Sequence, residues 1–163
     1  MLLATARLRL REAEPDDPIA LEAYQSDARY LEHYAQPPKS ASELIQLARQ
    51  WATESPRLNY QLIIALSTRG TVIGCAGLRQ AGYPPGQAEI GIELNPDHWG
   101  HGYAGEVLSA LIRFARDELQ LGYLDALTTR TNLSAQRLVR RLGFLPAPPH
   151  GEGFRFRLPL AVA

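Results

Sequence analysis

The apolar and polar positions in the first third of the chain predict one strand followed by two helices. Residues 7–11 read Arg-Leu-Arg-Leu-Arg, and this strict alternation predicts a strand with one apolar face. The run Pro-Asp-Asp-Pro at 15–18 suits a first helical turn and predicts a helix of about ten residues. Ser40 and Glu43 have the spacing of a capping box, which predicts a second helix continuing through Trp51.

Apolar runs in the middle of the chain predict three consecutive strands. Residues 60–66 and 71–78 are rich in β-branched side chains, and the Ser-Thr-Arg-Gly between them predicts a hairpin turn. Residues 88–94 predict the third strand. Its apolar face carries Ile90, Ile92 and Leu94. The opposite face carries Glu89, Gly91 and Glu93.

The hydrophobic period then changes to that of a helix. Apolar residues recur at helical spacing from 104 to 121, and Gly122 is placed to stop this predicted helix. Residues 123–129 predict a strand, and residues 132–142 predict a short helix ended by Gly143.

The alternating run at 154–158, after a proline-rich turn, predicts a last strand. The resulting order, βααβββαβαβ, is typical of an α+β or mixed α/β protein. Without repeats or a recognisable linker, we expect a single domain over residues 1–163.

Composition excludes several classes of function. The 163 residues contain 17 Lys and Arg against 17 Asp and Glu, which argues against nucleic-acid binding through a broad basic face. The single cysteine, Cys75, excludes an internal disulfide framework and a Cys-rich zinc site, and we expect it in the core. No stretch has the length of a signal peptide or a membrane span, so we expect a cytoplasmic protein.

The most informative segment is a glycine-rich turn between a predicted strand and the long predicted helix. It reads Asn-Pro-Asp-His-Trp-Gly-His-Gly-Tyr-Ala-Gly-Glu from 95 to 106. A helix N-terminus presents unpaired N–H groups and the positive end of the helix dipole, and glycines let an anion approach the backbone. The segment therefore predicts a phosphate or pyrophosphate site, with a plain tight turn as the alternative. His98 and His101 have no third ligand at metal spacing, so no metal is expected.

The same glycines fit a dinucleotide-binding fingerprint less well. Gly100, Gly102 and Gly105 match G-x-G-x-x-G, and Asp125 lies further along the chain. In that motif the first glycine follows its strand almost at once, whereas five residues separate Leu94 from Gly100. The chain beyond is also too short for a doubly wound sheet, which disfavours a nicotinamide cofactor.

Residues 89–106 resemble the acetyl-CoA signature of the GNAT N-acetyltransferases, and most of all that of the ribosomal-protein-alanine (Rim-type) branch. Residues 5–11 resemble the opening strand of that branch, and residues 132–144 resemble its closing helix and turn. The resemblance implies a GNAT fold, a single mixed, mostly antiparallel twisted sheet of six to seven strands flanked by helices. It also implies transfer of an acetyl group from acetyl-CoA to a primary amine by direct attack through a tetrahedral intermediate.

The resemblance assigns cofactor contacts around the glycine turn. Pantetheine would pair with the strand backbone at Ile92, Glu93 and Leu94. The pyrophosphate would rest on backbone N–H groups of Trp99, Gly100, His101, Gly102, Tyr103 and Ala104. Asn132 would contact pantetheine, cap its helix, or do both. Arg137 is the choice for the 3′-phosphate of coenzyme A among the three arginines of the closing helix, although a solvated helix face explains them equally well.

The resemblance also suggests catalytic groups. Glu89 is the candidate base, because the family often has a carboxylate early in this strand, and a solvated carboxylate is the alternative. The N–H of Leu94 would stabilise the developing oxyanion. At the two positions where the family usually has its general acid, a Ser or a Tyr, this chain has Ala135 and Val139. Ser134 is therefore the candidate general acid, and a water molecule or no acid at all are the alternatives.

The expected acceptor is a protein or peptide N-terminal α-amine, as on a ribosomal protein, and a small-molecule amine is the alternative. A non-catalytic module that binds coenzyme A without turnover is the alternative to an enzyme. We expect no metal, nucleic-acid or membrane partner, and either a monomer or a homodimer. Aromatic residues of the predicted acceptor wall are expected mostly to pack in the core: Tyr24, Tyr30, Tyr34 and Trp51.

Overall fold

The computed structural model describes residues 2–33, 39–149 and 151–161, so Tyr34 lies outside the described residues. The strands are β1 (Leu2–Ala4), β2 (Leu8–Arg11), β3 (Asn59–Leu66), β4 (Val72–Arg79), β5 (Gln87–Leu94), β6 (Tyr123–Thr128), β7 (Leu145–Ala147) and β8 (Phe154–Pro159). The helices are α1 (Asp17–Gln25), α2 (Ala28–Leu31), α3 (Ala41–Ala52), α4 (Tyr103–Asp117) and α5 (Leu133–Arg141), and a 3₁₀ turn lies at Pro96–His98. None of the described helices has the length and apolar character needed to cross a membrane.

The strands form one mixed sheet in the order β1-β2-β3-β4-β5-β6-β8-β7. The neighbouring strands pair antiparallel, except for the parallel pair β5 and β6. The predicted fold class is confirmed, but the expected strand number of six to seven is wrong, since the described residues form eight. The two strands that the pattern did not predict, β1 and β7, lie at the sheet edges and have three residues each, too few for an alternation signal.

Helices cover both faces of the central strands. Leu62 and Ile64 of β3 pack in the core beneath α4 and α5, whereas Ile63 packs in the second core beneath α1 and α3. Alternate strand residues point to opposite faces, so a strand covered on both sides needs apolar residues at successive positions. This explains why β3 and β4 have continuous apolar runs instead of alternation.

Local signals located most helix ends correctly. Ser40 and Glu43 form the predicted capping box, and Gly143, at φ +94°, follows the end of α5. The predicted end of α4 is wrong, because the helix stops at Asp117 instead of near residue 121, and Gln120 adopts a positive φ. The apolar period continues past the helix because the irregular segment that follows also packs in the core.

The parallel pair in the sheet is short. β5 aligns with β6 only through residues 87–89, opposite 123–125. Beyond that point β5 continues along β4 to Leu94, while β6 continues along β8 to Thr128. The two strands therefore diverge and leave a gap in the sheet next to the glycine turn.

Candidate active site

A cavity of about 470 Å³ opens where β5 leaves β6. Its walls are the end of β5, the glycine turn and the first turns of α5. The predicted cofactor residues that line it are Ile92, Glu93, Leu94, Trp99, Gly100, Gly102, Tyr103, Ala104, Asn132 and Arg137, together with the candidate acid Ser134. Two predicted site residues, Glu89 and His101, are not part of this lining.

The backbone of β5 presents polar groups to the cavity. The N–H of Asn95 donates to the carbonyl of Ile73 at 2.8 Å, which makes these two residues a hydrogen-bonded pair across β4 and β5. Bonded and non-bonded pairs alternate in an antiparallel ladder, so Leu94 and Ile92 direct their N–H and C=O groups away from β4. Because β6 has diverged, these groups face the gap. Glu93 lies in a bonded position, and its backbone faces β4.

The glycine turn supplies a second row of N–H groups. Gly100 and Gly102 adopt φ values of +77° and +79°, the left-handed region that glycine tolerates. α4 begins at the next residue, and the N–H groups of its first turn have no acceptor within the helix. These N–H groups and the helix dipole make this wall of the cavity suitable for a pyrophosphate.

The ring of His101 lies outside the cavity because it bonds to the turn itself. Its Nδ1 lies 2.9 Å from the carbonyl oxygen of Trp99, and the ring stacks on Tyr103 with centroids 5.5 Å apart. The indole of Trp99 donates to the carbonyl of Leu94 at 3.0 Å and so fastens the turn to the end of β5.

A carboxylate held by two tyrosines, that of Glu93, also belongs to the cavity lining. The hydroxyls of Tyr24 and Tyr30 donate to the two oxygens of Glu93, at 2.7 and 2.9 Å. Both tyrosines are buried, as expected, but their hydroxyls give them a polar role that the sequence did not indicate. Burial, with the neighbouring Cys75 and Glu93, raises the pKa of Tyr24 well above its usual value, so this phenol remains a donor.

Cys75 lies opposite Glu93 on β4 and is buried, which confirms its predicted place in the core. Burial, together with the Glu93 carboxylate, raises the pKa of the thiol. The thiol therefore stays protonated and unreactive near neutral pH.

Glu89 lies on the same face of β5 as Glu93 but in different surroundings. It aligns with Arg79 of β4 and Asp125 of β6 and accepts a hydrogen bond from the Tyr83 hydroxyl at 3.2 Å. Burial and the Glu89 charge raise the pKa of Tyr83 to about 12. The role of Glu89 as a base stays a prediction.

The start of α5 forms the remaining wall. Asn132 caps this helix, its side-chain oxygen accepting from the N–H of Ala135 at 3.0 Å. Arg137 and Arg141 line the cavity, whereas Arg140 lies over the ring of Phe156. The cavity lining thus includes the cationic side chains of Arg137 and Arg141 on α5 and the carboxylate of Glu93 on β5. No cluster of three or more potential metal ligands occurs among the described residues.

The sequence and the fold are similar to those of known acetyltransferases. Residues 7–145 match the family model of the acetyltransferase (GNAT) domain. The chain is 30% identical over 146 residues to the uncharacterised N-acetyltransferase p20 of Bacillus licheniformis, covering 87% of this chain and 81% of that protein. A spermidine N-acetyltransferase from Vibrio cholerae, solved with CoA and spermine, has a TM-score of 0.76 at 19% identity and covers 93% and 95% of the two chains. A ribosomal-protein-S5-alanine acetyltransferase from Vibrio fischeri has a TM-score of 0.79 at 12% identity and covers 98% and 96%.

Proposed function

The chain belongs to the acetyltransferase (GNAT) family, and on this premise we propose that its cavity binds acetyl-CoA and that the enzyme acetylates a protein or peptide N-terminal α-amine. The observation that carries the proposal is the meeting, in one cavity, of the diverging edge of β5 with the left-handed glycine turn at the start of α4.

The residues of the cavity fit an extended acyl donor with a phosphate end. Ile92 would bond to pantetheine through its outward backbone groups, whereas the outward carbonyl of Leu94 already accepts a hydrogen bond from the Trp99 indole. The N–H groups from Gly100 to Ala104 would hold the pyrophosphate, and Arg137 and Arg141, which line the same cavity, would neutralise the 3′-phosphate. Bound acetyl-CoA supplies an activated acetyl group and a thiolate leaving group.

We assign the chemistry to three groups, of which Leu94 and Ser134 line the cavity and Glu89 does not. The N–H of Leu94 faces the gap and would donate to the acetyl oxygen as negative charge develops there. The hydroxyl of Ser134, on the cavity wall, would provide a proton for the departing thiolate. Glu89 would accept a proton from the amine, through water, from its position further along β5.

The carboxylate of Glu93 in the cavity lining is suited to bind an ammonium group. An α-amine has a pKa of about 8, so most of it arrives protonated at neutral pH. Glu93, fixed by two hydroxyl donors, would attract this cation next to the N–H of Leu94. On the same face of β5, Gly91 is exposed and has open space above its Cα, which leaves room for the residues that follow a peptide N-terminus.

A small-molecule amine is the second candidate acceptor. One solved structure with this fold is a spermidine N-acetyltransferase. The acidic residues of the helical region, Glu22, Asp27, Glu32 and Glu43, are dispersed along the sequence, a distribution that does not mark a pocket for a polycation. We therefore favour the peptide amine.

Glutamine substitutions separate the two carboxylates. Glu93→Gln is expected to raise KM for an amine about tenfold, since it removes the charge that attracts the ammonium but keeps the side-chain volume. Glu89→Gln is expected to lower kcat about tenfold with little effect on KM, because it removes a proton acceptor. Both variants should bind coenzyme A normally. The assay measures thiol release and acetylated product with an alanine-initiated peptide and with spermidine.

The outcomes distinguish the alternatives. An unchanged KM in Glu93→Gln removes Glu93 from acceptor binding, and an unchanged kcat in Glu89→Gln removes that residue from the mechanism. Transfer to spermidine alone favours the small-molecule class. If the unaltered protein binds coenzyme A but acetylates neither amine under any condition, the interpretation as a coenzyme A-binding module replaces ours.

A further inference from the structure

A cluster of side chains holds the outer side of the glycine turn. The carboxylate of Glu106, in α4, accepts hydrogen bonds from the backbone N–H and the Nε of Arg7, both at 2.8 Å, and from the hydroxyl of Thr5. Although burial opposes it, these hydrogen bonds lower the pKa of Glu106. Glu106 therefore remains ionised and fixes the guanidinium of Arg7.

The guanidinium of Arg7 in turn contacts the two residues that flank Gly102 in the turn. Its Nη1 donates to the carbonyl oxygen of His101 at 2.9 Å. Its central carbon lies 4.5 Å from the centroid of the Tyr103 ring, a cation–π contact. Arg7 is not among the residues that line the cavity, so we take its contacts to lie on the side of the turn that faces away from the cavity.

The bond to the His101 carbonyl determines where the next N–H group points. In a trans peptide unit the C=O and the following N–H have opposite directions. Arg7 holds the His101 carbonyl on the outer side, so the N–H of Gly102 is directed to the inner side, where Gly102 lines the cavity. The Nδ1 of His101 holds the carbonyl of Trp99 in the same way and directs the N–H of Gly100 inward.

We propose that Arg7 is a positioning residue for the donor substrate, which fixes the N–H of Gly102 toward the pyrophosphate without touching it. The inference rests on the proposed binding of acetyl-CoA. A turn whose donors are already oriented loses less conformational entropy on binding than one that must be ordered by the ligand. The glycines of the turn make this support necessary, because glycine backbone is intrinsically the most flexible.

Three ligands test this role: coenzyme A, dephospho-coenzyme A and pantetheine. Arg7→Ala is expected to weaken the first two about tenfold and to leave pantetheine unchanged, as measured by calorimetry with displacement for the weak ligand. Dephospho-coenzyme A keeps the pyrophosphate but lacks the 3′-phosphate, and pantetheine lacks both. Because pantetheine also lacks the adenosine, the ligand pattern locates the effect in the pyrophosphate and adenosine part of coenzyme A and excludes pantetheine and the 3′-phosphate.

Arg9→Ala is the matched control, since Arg9 is an exposed arginine two residues further on, in β2, and its loss changes the net charge equally. It should leave all three affinities unchanged. Arg7→Lys keeps the charge but replaces the separate Nε and Nη donors of the guanidinium with a single nitrogen, so it should show the same ligand pattern with a smaller loss. If Arg7→Ala does not fold, Arg7→Lys replaces it in the same binding measurements.

Other patterns overturn the inference. An equal loss for all three ligands means that Arg7 only supports the fold. A loss for coenzyme A that is absent with dephospho-coenzyme A means that Arg7 contacts the 3′-phosphate directly. If both Arg7 variants bind like the unaltered protein, the turn needs no support from Arg7. If the unaltered protein binds no coenzyme A, the proposed function fails and the inference fails with it.

Discussion

Replacing Gly102 by valine is expected to weaken coenzyme A binding about a hundredfold. Gly102 has a φ of +79°, a region that a β-branched residue essentially does not adopt. A Cβ at this position would also lie 3.4 Å from Nη2 of Arg7. The turn must therefore change conformation, and the N–H groups that line the cavity change direction with it. Calorimetric titration with coenzyme A measures the loss.

Gly70→Val is the matched control for this substitution. Gly70 also has a positive φ, +68°, but lies in the hairpin between β3 and β4 with open space around it. Both variants carry a similar backbone strain, so both should lose some stability. Only Gly102→Val should lose coenzyme A affinity. Normal binding by Gly102→Val would show that the turn is not the phosphate site.

Gly74→Ala is expected to lower the free energy of unfolding by about 3 kcal/mol, which corresponds to roughly 6–12 °C in Tm. Gly74 lies opposite Leu94, where β4 and β5 run close together beside the cavity. An added Cβ would collide with the carbonyl oxygen of Glu93 and lie 3.0 Å from the Cα of Leu94. These are backbone atoms, so β5 itself has to move. Denaturant unfolding measures the change.

Gly91→Ala provides the comparison, because it adds the same methyl group to the neighbouring strand in open space. Its expected effect is within about 0.5 kcal/mol. Equal effects of the two substitutions would mean that strand propensity, and not the close approach of β4 and β5, determines the cost at Gly74.

Features that depend on neighbouring residues were predictable from the sequence. The capping box at Ser40 and the glycine after α5 are local signals, and each lies where the pattern indicates. The glycine turn was recognisable for the same reason, since its glycines lie directly between a strand pattern and a helix pattern. The ten predicted cofactor residues of the cavity lining were assigned by the resemblance to the GNAT N-acetyltransferases, which rests on contiguous stretches of the sequence.

Contacts between distant parts of the chain were not predictable. Tyr24 and Tyr30 bond to a residue 69 and 63 positions away, and nothing in the sequence near them marks this pairing. Arg7 and Glu106 are 99 positions apart. His101 is predicted to contact the pyrophosphate through its backbone N–H, and nothing in the sequence indicates that its ring bonds through Nδ1 to the Trp99 carbonyl of the same turn. The sheet brings these partners together, so only the folded chain shows them.

Amide hydrogen exchange, with and without saturating coenzyme A, tests most directly that the gap between β5 and β6 is the donor site. We expect slower exchange at residues 92–94 and 100–105 with coenzyme A and no change there with NAD. The hairpin at 66–72 should exchange equally in all three samples. If coenzyme A binds but leaves the exchange rates of both segments unchanged, or if NAD slows exchange in the turn, the gap between β5 and β6 is not the donor site.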